Sequence, residues 1–495
     1  MNWSFWLPLL VLASSLVTGL AIFPLPARRS NLRNTLNMCG ASIKVVLVAV
    51  IAWGTVHGID YETRLPLLPD YDLVLAVEPV SLLFASLSAV LWFFTTIYAI
   101  GYLRDSPNLS RFFGFFSLCV TAAVGVSLAG NLLTFVVFYE LLTLTTYPLV
   151  VHRGTPEAVS AGRTYLVYTL VGGTLLLLAA LWLYAIAGPV DFVSGGVLTH
   201  HAEGRPWELR ALFLLLIAGL GVKAALVPLH GWLPRAMIAP APVSALLHAV
   251  AVVKAGAFGI MRVIFDVFGV RLSSELGMSG ALTVLAATTI ILGSLMALLQ
   301  DDLKRRLAYS TVSQLSYILL GIAMLGPLGT IGGLVHLVHQ GLMKITLFFA
   351  AGNLSETLEV HRVSEMDGVA RRMPLTMAAF TLAALGMIGL PPVAGFVSKW
   401  YLGLGALEQG AGWILWVLVA SSLLNAGYFL PIIYRAWFRA PQRSVAPVHD
   451  RLEASWLLIL PTMATAFMAL AAGMFANASL SPLTLARQIV TEMYR

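Results

Sequence analysis

Apolar windows as long as a bilayer is thick recur throughout this 495-residue chain. They constrain its fold most, because a helix needs about 20 apolar residues to cross the hydrocarbon core. Hydrophobic residues make up 59% of the sequence and charged residues 11%, whereas soluble domains have about 25% charged residues. The sequence therefore predicts an all-α polytopic membrane protein with about 14 transmembrane helices. The windows cover residues 3–23, 39–57, 79–101, 112–130, 131–151, 162–187, 210–233, 240–265, 279–299, 305–325, 330–352, 374–404, 411–437 and 454–476.

Five of the ionisable side chains within these windows lie among long apolar runs. They are Glu140, Lys223, Lys254, Lys344 and Lys399. An ionisable group at mid-bilayer costs roughly 2.5–3.5 kcal/mol on insertion scales, so such groups usually have a function. We expect them to belong to a buried path for protons or ions.

The other basic residues are distributed between the windows. The formal charge is +7 at pH 7, but no domain carries a basic patch, so we expect no nucleic-acid partner. Eighteen Lys or Arg lie in loops on one side of the predicted membrane and seven on the other. The positive-inside rule places the richer side in the cytoplasm and both termini on the non-cytoplasmic side of a plasma (inner) membrane. Lys44 lies near a window end, and we expect its side chain to snorkel to the surface.

The sequence contains no evident soluble domain or cofactor motif. The longest predicted loops, 188–209 and 353–373, are too short to enclose a core. A glycine-rich phosphate loop, a CxxC pair and an HExxH motif are all missing, and the two cysteines, Cys39 and Cys119, have apolar neighbours. We therefore expect neither a cofactor nor a metal, and a chain that uses or transmits an ion gradient.

Two windows combine a lysine with helix-breaking residues. In the seventh window Lys223 precedes Pro228, and in the twelfth Pro391 precedes Lys399. Proline releases backbone carbonyls that protein or water must satisfy inside a membrane. Matched interruptions in two halves of a chain are typical of inverted repeats with a site at their interface. We predict N-terminal helices 1–3 at 1–111, inverted five-helix repeats at 112–266 and 279–437, and helix 14 with a short tail at 454–495.

Four sequence runs resemble one family of membrane proteins. They are 228–234 (PLHGWLP), 239–248 (APAPVSALLH), 302–314 (DLKRRLAYSTVSQ) and 339–349 (HQGLMKITLFF). Together they resemble the antiporter-like subunits of respiratory complex I and of Mrp-type cation/proton antiporters, over most of the chain. The resemblance implies that Glu140 on the fifth span pairs with Lys223 on the seventh. It also implies that Lys254 is the eighth-span lysine and that Lys399 is the proton exit residue on the twelfth span.

A charge-separation mechanism would move protons along these residues. Separating Glu140 from Lys223 removes the opposite charge that holds the Lys223 proton. We expect that proton to move through water and His248 to Lys254, and onward to Lys399. His248 precedes Lys254 by six residues, about one and two-thirds turns of a regular helix, and imidazole exchanges protons near neutral pH.

The eleventh window adds further candidates for proton relay. His336 and His339 lie one turn apart and precede Lys344. His336 and His339 could face one channel, and we treat both, with Lys344, as possible relay groups. His230 borders the break after Lys223, and Tyr309, Ser310 and Gln314 of the tenth window could hold water near it.

Three functions remain open for a chain of this kind. Lys254 on the eighth span and the shortness of the sequence after the last window favour a D-like subunit of an Mrp-type Na⁺/H⁺ antiporter, and Lys399 fits both this subunit and complex I subunits. We expect a transporter subunit more than an enzyme. The first alternative is a proton-pumping membrane-arm subunit of a complex I-like NADH-quinone oxidoreductase or a membrane hydrogenase, where the chain would be a component of a translocase. The second is a proton-coupled partner of an inorganic-carbon uptake complex. In each case we expect other membrane subunits as partners and protons as the ions moved, with Na⁺ as the second ion in the antiporter.

Overall fold

Helices dominate the protein, whose computed structural model describes residues 3–68, 71–201, 204–441 and 453–494. The first seven helices are α1 (Trp3–Ile22), α2 (Ser30–Val56), α3 (Pro79–Tyr102), α4 (Leu109–Leu128), α5 (Leu132–Val150), α6 (Pro156–Ala187) and α7 (Pro206–Lys223). The other helices are α8 (Trp232–Arg235), α9 (Ala241–Glu275), α10 (Met278–Leu298), α11 (Leu303–Ala323), α12 (Pro327–Leu358), α13 (Pro374–Ile388), α14 (Ala394–Glu408), α15 (Trp413–Phe438), α16 (Trp456–Met474) and α17 (Pro482–Met493). Three of the basic residues counted above, Arg443, Arg451 and Arg495, lie outside the described residues.

Each apolar window corresponds to one helix or to a broken helix. Among the described residues, 11 helices are long and apolar enough to cross a membrane. The seventh and tenth windows form α7 and α11, which carry additional charged residues at their ends. The twelfth window is divided into α13 and α14 by a break at residues 389–393. The prediction of an all-α polytopic membrane protein is confirmed.

The centre of the bundle is formed by α9 and α12. The most apolar 18-residue stretch of each is completely buried inside the protein. The α9 helix is irregular, because Leu246–Val250 and Val263–Phe268 adopt π-helical hydrogen bonding. Irregular turns of this kind often occur at functional sites.

A β-hairpin that the sequence did not predict joins α2 to α3. Its strands are β1 (Glu62–Leu68) and β2 (Tyr71–Ala76), paired antiparallel. The hairpin is held against the start of α5, since Val74 donates from its backbone N to Thr134 Oγ1 at 2.8 Å. The strands are much shorter than a bilayer-length window, so a search for such windows does not detect them.

Lys44 corrects a second expectation. It lies near the middle of the 27-residue helix α2 and is fully buried, so the prediction that it snorkels from a helix end is wrong. The apolar window at 39–57 underestimated the helix, which begins nine residues earlier at Ser30. That longer helix moves Lys44 away from the surface.

The C-terminal tail is also more ordered than predicted. Helix α17 packs against α12 and α3, and the hydroxyl groups of Tyr494 and Thr330 are 2.9 Å apart. The tail therefore covers one end of the central helices.

Candidate functional site

Lys223 is the last residue of α7 and lies at the first helix break, with its side chain fully buried. Its ammonium donates a hydrogen bond to the carbonyl O of Tyr139 and lies 3.4 Å from the centroid of the Tyr139 ring. Trp232 closes the break, donating from Nε1 to the carbonyl of the residue before Lys223 at 2.8 Å. Gly256 lets α9 approach this point, because a Cβ there would collide with the backbone of Ala224. The break is thus packed closely between α5 and α9.

Glu140 lies on α5 directly after the residue that binds Lys223. Its Oε1 is buried without a hydrogen-bond partner among the described residues, and a Cβ at Gly173 of α6 would collide with that oxygen. No ion pair within 4.0 Å joins Glu140 to Lys223 in the described part of the chain, so the expected direct pairing is not formed. The ammonium is bound instead to the Tyr139 carbonyl.

Lys254 of α9 is fully buried against α12. Its ammonium donates to the carbonyl O of Leu337. Leu337 follows His336 in the sequence, so Lys254 reaches the helix turn that carries the two histidines. The structure thus brings the eighth-span lysine to the eleventh-span relay candidates.

His336 and His339 are both fully buried on α12. The Nδ1 of His336 lies 2.8 Å from Ser398 Oγ, and its ring centroid is 5.3 Å from that of Tyr317. The Lys399 ammonium lies 5.3 Å from the centroid of the same Tyr317 ring. His336 therefore faces the second helix break, whereas both ring nitrogens of His339 have no partner among the described residues.

His248 lies within the first π-helical stretch of α9. The expected regular spacing between His248 and Lys254 is wrong, because Ala251 between them departs from helical geometry with φ −117° and ψ −83°. The imidazole packs on Phe348 of α12 with ring centroids 4.6 Å apart. Its two ring nitrogens have no hydrogen-bond partner among the described residues.

Lys344 begins a line of hydrogen bonds that crosses the bundle. Its ammonium donates to Ser310 Oγ at 2.6 Å and to the carbonyl of Leu307 at 3.1 Å, both on α11. The hydroxyl of Tyr428 on α15 lies 3.0 Å from the same Ser310 Oγ. That hydroxyl also donates to Asn425 Oδ1 at 2.6 Å.

The line ends at Lys399 beside the second helix break. Asn425 donates from Nδ2 to the carbonyl O of Met387 at 3.1 Å. The Lys399 ammonium donates to this carbonyl at 3.2 Å, to that of Ile388 at 2.8 Å and to Ser422 Oγ at 2.9 Å. Met387 and Ile388 end α13, where free carbonyls and the helix dipole favour a cation. A continuous line of hydrogen-bonded groups therefore links Lys344 to Lys399 through the protein interior.

Sequence reasoning missed the α15 part of this line. Asn425 and Tyr428 of this line are buried, and buried Ser421, one turn before Asn425, shares their face of α15. Their spacing of four and three residues is the signal that could have identified them, since three polar groups on one face of an apolar helix need partners. None of the three is charged, so buried charges did not identify them.

Buried polar atoms without partners surround the lysines. Each such atom costs about 1–3 kcal/mol, and native proteins usually satisfy them through protein or ordered water. These atoms lie on α9, α11 and α12. The residues are Gln314, Tyr317, Gln340, His248, His336 and His339.

A polar cavity of about 490 Å³ opens where α3 and α5 end. Asp105, His152, Arg153 and Glu356 are among its lining residues. Burial, together with the charges of Arg111 and Arg153, lowers the pKa of His152 to about 4. Among the described residues, no group of three His, Cys, Asp or Glu is arranged to hold a metal ion.

Comparison with known proteins gives the fold and the family. Residues 129–425 match the family described as NADH:quinone oxidoreductase/Mrp antiporter, transmembrane. The chain has the fold of a chain in the Mrp complex from Dietzia, with a TM-score of 0.89, 23% identity and coverage of 100% of this chain and 98% of that one. An archaeal membrane-bound sulfane sulfur reductase contains a similar chain, with a TM-score of 0.85, 23% identity and coverage of 99% and 98%.

Curated relatives include both redox and antiporter proteins. NADH-quinone oxidoreductase subunit N of Desulforudis audaxviator is 38% identical over 421 residues, covering 82% of this chain and 83% of that protein. Hydrogenase-4 component B of Escherichia coli is 34% identical over 67% of this chain and 50% of that protein. A probable K⁺/H⁺ antiporter protein of Rhizobium meliloti is 31% identical over 71% of this chain and 34% of that protein. The chain therefore belongs to the NADH:quinone oxidoreductase/Mrp antiporter family of antiporter-like, proton-translocating membrane subunits.

Proposed function

We propose that this chain is the proton-translocating subunit of an Mrp-type monovalent cation/proton antiporter, with Na⁺ as the cation. It works in a plasma (inner) membrane together with other membrane subunits. The observation that carries the proposal is the buried hydrogen-bond line from Lys344 to Lys399. The Ser310 and Tyr428 hydroxyl groups in this line can each donate and accept a proton, and the Asn425 amide and the Met387 carbonyl hold its far end beside Lys399.

The first step of the path takes place at the first break. Lys223 bound to the Tyr139 carbonyl, with Glu140 unpaired, corresponds to the separated state of the charge pair. In that state Lys223 lacks its counter-charge, and its proton moves through water and His248 to Lys254. Rejoining Glu140 and Lys223 favours proton uptake and resets the site.

The later steps run along α12 and α11. Lys254 reaches the backbone beside His336, and water and His339 extend the path along α12 to Lys344. From Lys344 a proton passes to Ser310 while the Ser310 hydroxyl proton is transferred to Tyr428. The Tyr428 hydroxyl proton then passes through water to Lys399, because the Asn425 amide and the Met387 carbonyl between them do not relay protons. Asn425 holds the Tyr428 hydroxyl in place and is a positioning residue.

The proposed repeats account for the similar arrangement of the two breaks. We assign one repeat to residues 112–266 and the other to residues 279–437. The first contains Lys223 before its break and the second contains Lys399 after its break. In each unit a half-helix ends close to a lysine, which supports a common ancestral arrangement.

Transport by the complete complex tests the proposal. In energised everted vesicles, addition of Na⁺ should collapse part of the pH gradient, and K⁺ or choline should have less effect. Lys223→Ala and Lys399→Ala should each abolish this response, whereas Arg271→Ala, which removes an exposed charge that pairs with Glu275, should leave it intact. A response near that of the wild type in Lys399→Ala would contradict the proposed path.

A redox-driven proton pump is the second candidate. Its support is the identity of 38% with NADH-quinone oxidoreductase subunit N over most of both chains. Purification from the native membrane in mild detergent, followed by mass spectrometry, separates the two. Small apolar companions without redox proteins favour the antiporter, and companions with flavin, nickel or iron–sulfur groups favour the redox pump.

A further inference from the structure

Lys44 is a buried lysine that the proposed path does not use. It is fully buried on α2, well before residues 129–425 that match the family. Its ammonium donates to Ser15 Oγ of α1 at 2.7 Å and lies 5.4 Å from the centroid of the Trp92 ring of α3. The helices α1 to α4 contain no Asp or Glu. Lys44 thus lies in a helix bundle without a counter-carboxylate.

Both protonation states of Lys44 have a partner in this site. The ammonium donates to the Ser15 hydroxyl and faces the electron-rich Trp92 ring, a cation–π arrangement. The neutral amine can accept a hydrogen bond from the same hydroxyl, which donates or accepts freely. A buried charge inside a membrane is costly, so a site that offers a partner to both states can gain and lose a proton.

A strip of buried polar residues leads to Lys44 from one side only. Ser15 Oγ lies 2.7 Å from Thr121 Oγ1, which donates to the Ser117 carbonyl at 3.0 Å. The Ser117 hydroxyl donates to Asn37 Oδ1 at 3.4 Å. Asn37 lies one turn from Arg33, near the start of α2, and both side chains are buried. We call this set the Lys44 strip: Arg33, Asn37 and Lys44 of α2, Ser15 of α1, and Ser117 and Thr121 of α4.

Beyond Lys44 the same interface is apolar. The buried face of α2 continues with Val48 and Ile51, and that of α1 continues with Leu12 and Val11. The Lys44 strip covers about 17 Å along α2, from Arg33 to Lys44, at 1.5 Å per residue. Polar groups therefore connect Lys44 to the side on which α2 begins, and apolar packing separates it from the other side.

We propose that Lys44 is a one-sided proton-binding site that exchanges protons with the side of the membrane on which α2 begins. It is a dead end and not a second route across the membrane. The protonation state of Lys44 therefore follows the pH of one compartment and affects how α1 to α4 pack. Helix α4 packs directly against α5, which carries Glu140.

Few other titratable groups face this bundle. None lies on α1, and Lys44 has Ser15 and Trp92 as its polar and ring partners among the described residues. The remaining groups are arginine, tyrosine and cysteine, and arginine and tyrosine ordinarily titrate above the physiological range. They are Arg33 and Cys39 on α2, Tyr98 and Tyr102 on α3, and Arg111 and Cys119 on α4. With Cys39 and Cys119 replaced by Ser, a pH response of the bundle within that range therefore points to Lys44.

Thiol labelling tests one-sided access without relying on transport. The background chain carries Cys39→Ser and Cys119→Ser. Each test variant adds one cysteine: Asn37→Cys, Lys44→Cys or Val48→Cys. Membranes of each orientation are treated with a methanethiosulfonate ethylammonium reagent, with a thiol scavenger on the far side. We expect the first two cysteines to react at least about tenfold faster than the third, and only from the side where α2 begins. Equal, slow reaction of all three, or reaction from the opposite side, would overturn the proposal.

The pH dependence of transport tests proton binding and rests on the proposed function. Lys44→Arg fixes the charge and Lys44→Gln removes it. At the acidic end of the range, the rate of cation-dependent transport by the wild-type complex should equal that of Lys44→Arg. At the alkaline end it should equal that of Lys44→Gln. A wild-type to Lys44→Gln ratio that stays constant between about pH 6 and pH 9 would refute proton binding, including where Lys44→Arg fails to assemble. Absence of transport in the wild type itself would instead refute the proposed function and leave the labelling result to decide access.

Discussion

Replacing Tyr428 with Phe tests the hydrogen-bond line at its narrowest point. The change removes one oxygen and leaves the ring, which packs on Phe429 with centroids 4.7 Å apart. It breaks the 2.6 Å bond to Asn425 Oδ1 and the 3.0 Å contact with Ser310 Oγ. The backbone carbonyl of residue 428, which accepts from Arg306 at 2.9 Å, is untouched.

The size of the effect follows from these two contacts. A buried acceptor left without its donor costs about 1–3 kcal/mol, so Tyr428→Phe should lower the free energy of unfolding by that amount and still permit assembly. Proton relay by a positioned side chain contributes about 10²–10⁴-fold to a transfer step. Because water can restore part of the relay, we expect the rate of cation-dependent proton transport to fall at least about tenfold, or about 1.4 kcal/mol of barrier.

The assay is the cation-dependent collapse of a pH gradient in everted vesicles, normalised to the amount of assembled complex. Tyr98→Phe is the matched control. Tyr98 is also fully buried and donates one hydrogen bond, to the carbonyl of Phe349 at 2.9 Å, but it is not part of the lysine line. Transport by Tyr428→Phe within about twofold of the Tyr98→Phe rate would refute a role for this hydroxyl.

Three further changes test other parts of the protein. Gly173→Ala places a Cβ against Glu140 Oε1 and should reduce transport at least about tenfold by displacing the carboxylate, whereas Gly280→Ala, where a Cβ meets open space, should transport normally. His152 has a pKa lowered to about 4, so the unfolded chain binds more protons than the folded one below the ordinary His pKa of about 6.5, and stability should decline as the pH falls from that value towards 4. His152→Phe should flatten this decline in thermal unfolding of the purified complex, and an unchanged pH profile would contradict it. Arg262→Met leaves the two carboxylates that it binds unpaired and should destabilise the complex by about 3 kcal/mol, measured as a lower unfolding temperature at unchanged subunit composition.

The lysines and the helix breaks could be predicted because their signals are local. A lysine inside an apolar window has few explanations, and proline beside it identifies an interrupted helix. Lys223 lies at the end of α7, and Lys399 binds the last carbonyls of α13. Both placements agree with reasoning from single windows.

Contacts between distant helices could not be predicted in the same way. Tyr428 and Ser310 are 118 residues apart in the sequence, and neither is charged, so no single window marks them as partners. The irregular turn around His248 depends on how α9 packs against α12, which a regular helical spacing cannot describe. The prediction for Lys44 was wrong for a simpler reason. A hydropathy window shows where apolar residues begin and not where the helix begins.

The two breaks differ in a way that bears on direction. At the second break Lys399 binds the negative end of a half-helix, which stabilises a cation by about 0.3–1 kcal/mol and at most about 2. This offsets only part of the roughly 2.5–3.5 kcal/mol that a charge costs at mid-bilayer. The hydrogen bonds from the Lys399 ammonium to two carbonyls and to Ser422 supply the rest, and the side chain is partly exposed. At the first break the carboxylate of Glu140 is the counter-charge available to Lys223. In the proposed path, proton loading at Lys223 therefore depends on the position of Glu140, whereas release at the partly exposed Lys399 requires no carboxylate to move. A path with a switched entrance and an unswitched exit conducts protons only when the entrance is driven, which is the behaviour that coupling to a second ion or to a redox partner requires.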